Sequence, residues 1–476
     1  MVGNKMISIK NNSIKAAAWY TICNFLSKGI LYILTPLYTR MLKVGEYGDY
    51  NNFVTWQSLL GVAITLDLHS TVSNAYIDYT EKEEFEKYIS TIMITSLVFP
   101  LMIGLLVFIK IDNFAMFFHM QPEYVVLLIV STAFSSALNI LQAEQRSKNK
   151  YKMSCFLTIL TSVGTAILSL ILISCFENRL KAIIWGSTIL NIIVNIYIYI
   201  YCLKRKVYFG YNYLKYAFVL ALPLIPHLLA ANIMGSSDKL MITQMCGSEK
   251  NALYSLVYNC AMVVTLLTTS LNQAWVPWFY RQVEDDNKHI IKKVSKFYCI
   301  GYTCIVSIFC FVAPEVVLIM GGESYREAAY LVPVIMFGCV CRFFYTLYVN
   351  VEFFLKKTWY ISIATIGASV INVILNYIGI TWWGYIAAAY ATLVANICML
   401  VFHVFCVHKM KKLDIFDNKF NLLIFLFSMI FCLGMMILYP YTILRYSILV
   451  LGVIIGGVVG VKHRGKVKQV LRGVIN

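Results

Sequence analysis

Long apolar segments alternate with short polar connections along the whole chain. Each apolar segment has about 20 residues, the length that an α-helix needs to cross the hydrocarbon core of a bilayer. The pattern predicts an all-α, polytopic membrane protein with about fourteen transmembrane helices. The predicted spans are residues 14–38, 50–74, 89–109, 123–144, 152–175, 182–202, 217–246, 252–276, 297–320, 330–354, 358–380, 384–406, 420–439 and 444–461.

The composition supports the same class of protein. Apolar residues make up 60% of the chain and charged residues 13%, about half of the 25% that soluble domains carry. The connections are too short to hold a folded extramembrane domain, so any activity must lie between the helices. The sequence contains no zinc-protease, Walker or nucleophile-elbow motif. We therefore expect no enzyme activity, no cofactor and no metal site.

The positive charge follows the topology. Most of the 40 lysine and arginine residues lie on alternating connections, and both termini belong to that set. Because basic residues are retained on the cytoplasmic side, both termini are expected to be cytoplasmic. The net charge of +17 would then meet anionic lipid headgroups at that face. The basic residues are spread over many loops, so nucleic acid is not an expected partner.

Polar side chains recur at helical spacing within several apolar spans. In the first span they follow one face at steps of three and four residues, which are Thr21, Asn24, Lys28, Tyr32, Thr35 and Thr39. One interpretation is hydrogen bonding between packed membrane helices. Because so many spans carry such a face, the set favours a hydrated central cavity. Asn24, Asn372 and Asn376 are candidate polar residues of that cavity.

Ionisable residues within spans are costly and usually face a bundle interior. One interpretation is a cationic chamber for an anionic substrate, formed by Lys28, Arg40, Lys239 and Arg342. Asp67 and Asp238 would then bind a coupling proton or sodium ion. The alternative is structural, with Lys28 paired to Asp67 and Asp238 paired to its neighbours.

The seventh span, residues 217–246, differs from the others because it contains Pro223 and Pro226. Prolines within a helix predict a kink or a break. His227 precedes Lys239 by the same twelve residues that separate Lys28 from Arg40. This spacing favours two pseudo-symmetric lobes of six helices around the cavity. The expected division is residues 1–203, residues 204–408, and residues 409–476 with two additional helices and a basic tail.

Two stretches carry a resemblance to a known family. AWYTICNFLSKGILYILTPLYTRML followed by EYGDYNNFVTWQSLL, near the start, and LNQAWVPWFYRQVE at Leu271–Glu284 resemble the bacterial polysaccharide transporters, the O-antigen (Wzx-type) flippases. That family lies in the multidrug/oligosaccharidyl-lipid/polysaccharide exporter superfamily. The resemblance covers most of the chain in its hydropathy pattern and is most specific in these stretches.

The resemblance implies a flippase that moves undecaprenyl-pyrophosphate-linked oligosaccharide repeat units from the cytoplasmic to the outer leaflet by alternating access. It places the chain in the bacterial inner membrane, with polysaccharide polymerase machinery as a possible partner. Basic residues of the first helix, here Lys28 and Arg40, would face the pyrophosphate, and Tyr254 and Tyr258 would offer aromatic faces to sugars. The alternatives are a cation-coupled, MATE-like exporter of small molecules and a membrane-embedded acyl- or glycosyltransferase.

Overall fold

The computed structural model describes residues 32–148, 150–410 and 413–462, together with Trp19, Cys23, Leu26, Ser27, Gly29 and Ile30. Helices joined by short turns make up this part of the chain, and no β-strand occurs within it. Ten of its helical segments are long and apolar enough to cross a membrane, and a bent helix pair adds an eleventh. The prediction of an all-α, polytopic membrane protein is therefore confirmed.

The chain divides into two compact units, Met1–Ala252 and Leu253–Asn476. The helices of the first unit are α1 (32–41), α2 (Val44–Thr65), α3 (Val72–Asp78), α4 (Lys82–Ile109), α5 (Ile111–Phe118), α6 (Pro122–Phe134), α7 (Ser136–Ser147), α8 (Tyr151–Cys175), α9 (Arg179–Arg205), α10 (Tyr211–Ala221) and α11 (Ile225–Cys246). The next helix, α12 (Ser248–Glu284), contains the boundary near its start. The expected three-part division at residues 203 and 408 stays a prediction.

The second unit continues from α12 with seven further helices among the described residues. They are α13 (Lys288–Phe311), α14 (Ala313–Gly321), α15 (Val332–Phe354), α16 (Trp359–Trp383), α17 (Ile386–Lys409), α18 (Asn418–Leu438) and α19 (Thr442–Lys462). A 3-10 segment, Glu323–Leu331, leads directly into α15. Large apolar side chains are exposed along α4, α16, α18 and α19, as expected of helix faces that contact lipid.

The predicted second span, residues 50–74, is wrong in its extent. Helix α2 ends at Thr65, because Leu66 and Asp67 both adopt left-handed backbone angles, with φ of 54° and 48°. A 3-10 turn, Leu68–Thr71, and α3 follow. Helix α2 is also not apolar enough to count among the membrane-crossing helices, because its first half contains acidic and amide side chains.

The predicted break in the seventh span is confirmed. Helices α10 and α11 meet at an angle of 49°, and Pro226 occupies the first turn of α11. Proline is accommodated there because the first amide groups of a helix have no helical acceptor. A second break lies in the predicted ninth span, residues 297–320, where α13 ends at Phe311 and α14 restarts with Pro314 in its first turn.

The exact number of spans stays a prediction. Most of the first predicted span and the basic tail after residue 462 lie outside the described residues. The apolar part of the last helix, α19, is Thr442–Gly456, which is shorter than the other spans.

Helix α2 packs along α11 within the first unit. Ser58 Oγ donates a hydrogen bond to Asn232 Oδ1 at 3.4 Å, and at the other end of α2 the amide of Asn251 donates to the Gly48 carbonyl at 3.1 Å. Asn251 lies in the first turn of α12, just after α11 ends at Cys246, so α2 and α11 run antiparallel. At Gly48 the backbone of Ser248 lies so close that a Cβ atom would sit 1.8 Å from the Ser248 carbonyl oxygen. Only glycine fits this contact.

The start of α18 gives a prediction about stability. Asp417 accepts a hydrogen bond from the Phe420 amide at 3.1 Å and pairs with Lys296 at 2.6 Å. The hydrogen bond that the Asp417 carboxylate accepts from Lys296, followed by the one from the Phe420 amide, lowers the pKa of Asp417. We expect Asp417→Ala to lower the free energy of unfolding by about 1 kcal/mol, because an N-cap and an exposed ion pair are lost.

The pH dependence of this effect has a definite sign. Because the pKa of Asp417 is lower in the folded state, its contribution is present above the unfolded value of about 3.9 and is lost as the pH falls below it. Thermal unfolding of the wild type and of Asp417→Ala in detergent should converge at acid pH. Asp417→Asn, which keeps the cap, should lose only a few tenths of a kcal/mol. An equal loss in both variants would contradict the assigned role of the cap.

Candidate functional site

The predicted cationic residues of the first helix are only partly described. Lys28 and Asn24 lie outside the described residues, so their roles stay predictions. Arg40 lies at the exposed end of α1, and its guanidinium donates to the carbonyl oxygen of Pro36 at 3.1 Å. Tyr32 and Thr35, from the same predicted polar face, are at least half-buried.

Asp238 and Lys239 lie in the middle of α11. The carboxylate of Asp238 is fully buried, whereas Lys239 is half-buried. The antiparallel packing of α11 on α2 places Asp238 level with residues near Thr55. Asp67 lies beyond the end of α2, after the left-handed break at Leu66. Its carboxylate instead approaches His69 Nδ1 at 3.4 Å. The ion-coupling role of Asp67 and Asp238 stays a prediction.

In the second unit, Arg342 belongs to a polar face of α15. Arg342, Tyr345, Thr346 and Asn350 recur at intervals of three and four residues, so their side chains lie along one side of the helix. Arg342, Tyr345 and Thr346 are half-buried, and Asn350 is 3% exposed. The Thr346 hydroxyl donates to the Arg342 carbonyl at 2.8 Å.

A matching polar face of α12 packs beside it. The side-chain amide of Asn350 donates to Asn272 Oδ1 at 2.8 Å. The Tyr258 and Tyr345 hydroxyls lie close enough to Arg342 to interact with its charge. Thr265 lies between these two contacts on α12, where its hydroxyl donates to the Ala261 carbonyl at 3.3 Å and lies near Cys339. We call this polar band the Arg342 seam, and its members are Tyr258, Thr265, Asn272, Arg342, Tyr345, Thr346 and Asn350.

The structure brings Tyr254, Tyr258 and Arg342, three of the predicted residues, into one region. The rings of Tyr254 and Tyr258 lie 5.0 Å apart. Tyr258 is half-buried at the seam, but Tyr254 is fully buried. In this conformation only Tyr258 of the two offers an accessible edge for a polar ligand.

Asn372 and Asn376 lie elsewhere in the second unit, between α16 and α17. Both are fully buried. The Asn376 amide donates to Asn372 Oδ1 at 3.2 Å, and the Asn372 amide donates to Thr392 Oγ1 at 2.9 Å. This arrangement is typical of hydrogen bonding between packed membrane helices. Their predicted role as cavity residues stays a prediction.

The sequence interpretation missed part of the Arg342 seam and a buried acid–histidine pair further along α15. Tyr345 and Asn350 were not singled out, although their spacing from Arg342 follows the same three- and four-residue steps. Glu352 and His403 were also missed. They form a fully buried contact at 2.9 Å between α15 and α17. The available signal was the presence of one acidic residue and one histidine inside predicted spans.

The Arg342 seam combines two kinds of recognition group in one membrane-embedded band. A guanidinium can bind two oxygens of a phosphate through parallel hydrogen bonds. Phenol, hydroxyl and amide groups beside it can donate to and accept from sugar hydroxyls. Such groups are expensive to bury in a bilayer unless they pair with each other or with a ligand.

Comparison with known proteins places the chain in a family. The model of a family described as "Polysaccharide biosynthesis protein" matches residues 13–283, more than half of the chain. The chain belongs to this family. A relative from Haemophilus influenzae, described as "Lsg locus putative protein 1", is 21% identical over 408 residues, which cover 84% of this chain and 98% of the relative.

Solved structures show the same fold. A structure described as "Lipid II flippase MurJ, inward closed conformation" matches with a TM-score of 0.71 at 16% identity, covering 94% of this chain and 99% of that one. An inward-facing MATE family transporter of the MOP superfamily matches with a TM-score of 0.59 at 15% identity, covering 83% and 95%. The family and the fold confirm the resemblance to MOP-superfamily polysaccharide transporters. The chain is a multi-pass membrane protein of the polysaccharide biosynthesis family.

Proposed function

We propose that this chain is a flippase for undecaprenyl-pyrophosphate-linked oligosaccharide repeat units, as used in O-antigen assembly. The observation that carries the proposal is the Arg342 seam, which sets a guanidinium among phenol, hydroxyl and amide groups on helices α12 and α15. A lipid-linked sugar presents the complementary chemistry, because its pyrophosphate is anionic and its hydroxyl groups both donate and accept hydrogen bonds.

The remaining parts of the proposal follow from the membrane setting. The isoprenoid tail can stay in the bilayer while the sugar and pyrophosphate cross by alternating access. The distribution of basic residues supports a cytoplasmic position for both termini in the bacterial inner membrane. Movement is then from the cytoplasmic leaflet, where the repeat unit is assembled, to the outer leaflet, where polymerase machinery would receive it. Anionic lipids are the proposed neighbours of the basic cytoplasmic loops.

A reconstitution experiment tests this function. The purified full-length protein is placed in vesicles that carry an undecaprenyl-pyrophosphate oligosaccharide in both leaflets, and a membrane-impermeant glycosidase is added outside. In protein-free vesicles only the outer-leaflet sugar should be cleaved. With the protein, cleavage should proceed to nearly the whole pool, because sugar from the inner leaflet reaches the enzyme.

The controls separate the alternatives. A soluble dye trapped inside the vesicles must remain trapped, which excludes leakage. Unchanged protection of the inner-leaflet sugar would contradict the flippase proposal. Gradient-driven accumulation of an organic cation in the same vesicles would instead support a MATE-like exporter. Formation of a new glycosylated or acylated lipid from an activated donor would support a transferase.

A further inference from the structure

Glu352 and His403 form a fully buried acid–imidazole pair within the second unit. His403 Nδ1 lies 2.9 Å from one carboxylate oxygen of Glu352 and 3.0 Å from the other, and both side chains are 0% exposed. The rings of Tyr345 and Phe402 lie 5.8 and 5.9 Å from the imidazole. The pair joins α15 to α17 in an apolar environment.

The second ring nitrogen of His403, Nε2, does not take part in the contact with Glu352. When Nδ1–H donates to the carboxylate, Nε2 becomes a buried acceptor, and it has no hydrogen-bond partner among the described residues. In that form the pair carries one net negative charge, because the imidazole is neutral. A buried uncompensated carboxylate is strongly disfavoured. Uptake of one proton from water at Nε2 forms an imidazolium and makes the pair neutral without breaking the contact to Glu352.

Among the described ion pairs, Glu352 takes part in the one with His403 and in none with a lysine or arginine. The Cys406 thiol lies close enough to Glu352 to interact with its charge. Other titratable or charged groups on the elements packed against α15 and α17 include Tyr280 of α12, Tyr298 and Tyr302 of α13, Arg342 and Tyr345 of α15, Tyr360 of α16, Lys409 of α17, Asp414 of the 3-10 turn after α17 and Cys432 of α18. Most of these are phenols or thiols, which are neutral near pH 7.

We propose that the Glu352–His403 pair is a proton-binding site that couples proton movement to transport. This proposal rests on the proposed function and names its coupling ion. The link to the substrate site is Tyr345, whose ring contacts His403 and whose hydroxyl lies in the field of Arg342. Protonation of the pair stabilises the present packing of α15 on α17, because the pair is then neutral. The deprotonated pair carries a net negative charge and favours an arrangement in which water reaches it. The same helix, α15, thus carries both the proton site and the anion-binding guanidinium.

Transport measurements give the first test. In vesicles prepared as above, a gradient of about one pH unit should change the distribution of the lipid-linked sugar between the leaflets about tenfold for each coupled proton. Glu352→Gln and His403→Gln should abolish this dependence on the gradient. The double variant E352Q/H403Q keeps a hydrogen bond between the helices without a titratable group, so it controls for loss of folding. His408→Gln removes an exposed histidine of the same helix and should behave as the wild type.

A second measurement does not depend on transport. Infrared difference spectra of the detergent-solubilised full-length protein, taken between pH 5 and pH 9, should show an imidazolium signal coupled to a carboxylate signal. Both should vanish in H403Q and persist in H408Q. If the wild type moves no lipid-linked sugar but this signal is present, the proposed function fails and the proton site stands. If H403Q keeps both the gradient dependence and the infrared signal, the proton site is wrong.

Discussion

Arg342→Ala is expected to reduce flipping of the lipid-linked sugar by about 100-fold, because truncating a partly buried charged partner typically costs 2–5 kcal/mol. The guanidinium is the positive charge of the seam and lies on the helix face shared by Tyr345 and Thr346. Arg342→Lys keeps the charge but loses the planar fork that matches two phosphate oxygens. Its flipping rate should therefore fall between those of the wild type and Arg342→Ala.

The measurement is the initial rate of glycosidase accessibility in vesicles with equal amounts of protein. Arg326→Ala is the matched control, because Arg326 belongs to the same unit but its side chain is 80% exposed and pairs with the exposed Glu323 at 3.5 Å. It should flip at the rate of the wild type. Wild-type rates in Arg342→Ala, with unchanged thermal stability, would assign Arg342 to helix packing instead.

Gly48→Ala is expected to destabilise the protein by about 2–3 kcal/mol or to prevent its folding, because overpacking a rigid contact costs 1–3 kcal/mol and occasionally more. The added Cβ would lie 1.8 Å from the Ser248 carbonyl oxygen and 2.5 Å from its carbonyl carbon. Both are backbone atoms, so no side-chain rotation can relieve the overlap. The start of α12 would have to move away from α2, which would break the hydrogen bond between Asn251 and Gly48.

Gly61→Ala is the matched control on the same helix. A Cβ at Gly61 would meet nothing within 4 Å, so this change should be neutral or stabilise α2 by up to about 1 kcal/mol through its helix propensity. The melting temperatures of the two variants are compared by thermal unfolding in the same detergent. Equal melting temperatures for G48A and G61A would show that the close contact at Gly48 does not constrain the fold.

The sequence alone was sufficient for the class of protein, the positions of most spans and the break near Pro223. Each of these depends on local properties, such as the length of an apolar run or the missing amide hydrogen of proline. Arg342 could be found in the same way, because a cation inside an apolar run is visible without knowledge of its neighbours. The family resemblance added the polysaccharide transporter class, and the comparisons confirmed it.

The partners of each residue depended on the tertiary structure. Helix α2 ends at Thr65 because the next two residues are left-handed. The sequence around them is mostly apolar and contains no glycine or proline that would predict this end. The pairing of Asn272 with Asn350, and of Glu352 with His403, joins helices that are far apart in sequence. Hydrophobic patterns report which face of a helix is polar, but they do not encode the rotation and register of one helix against another. Those quantities are set by side-chain packing between helices, so only the folded structure shows that Asn372 is satisfied by Thr392 while Arg342 faces the seam.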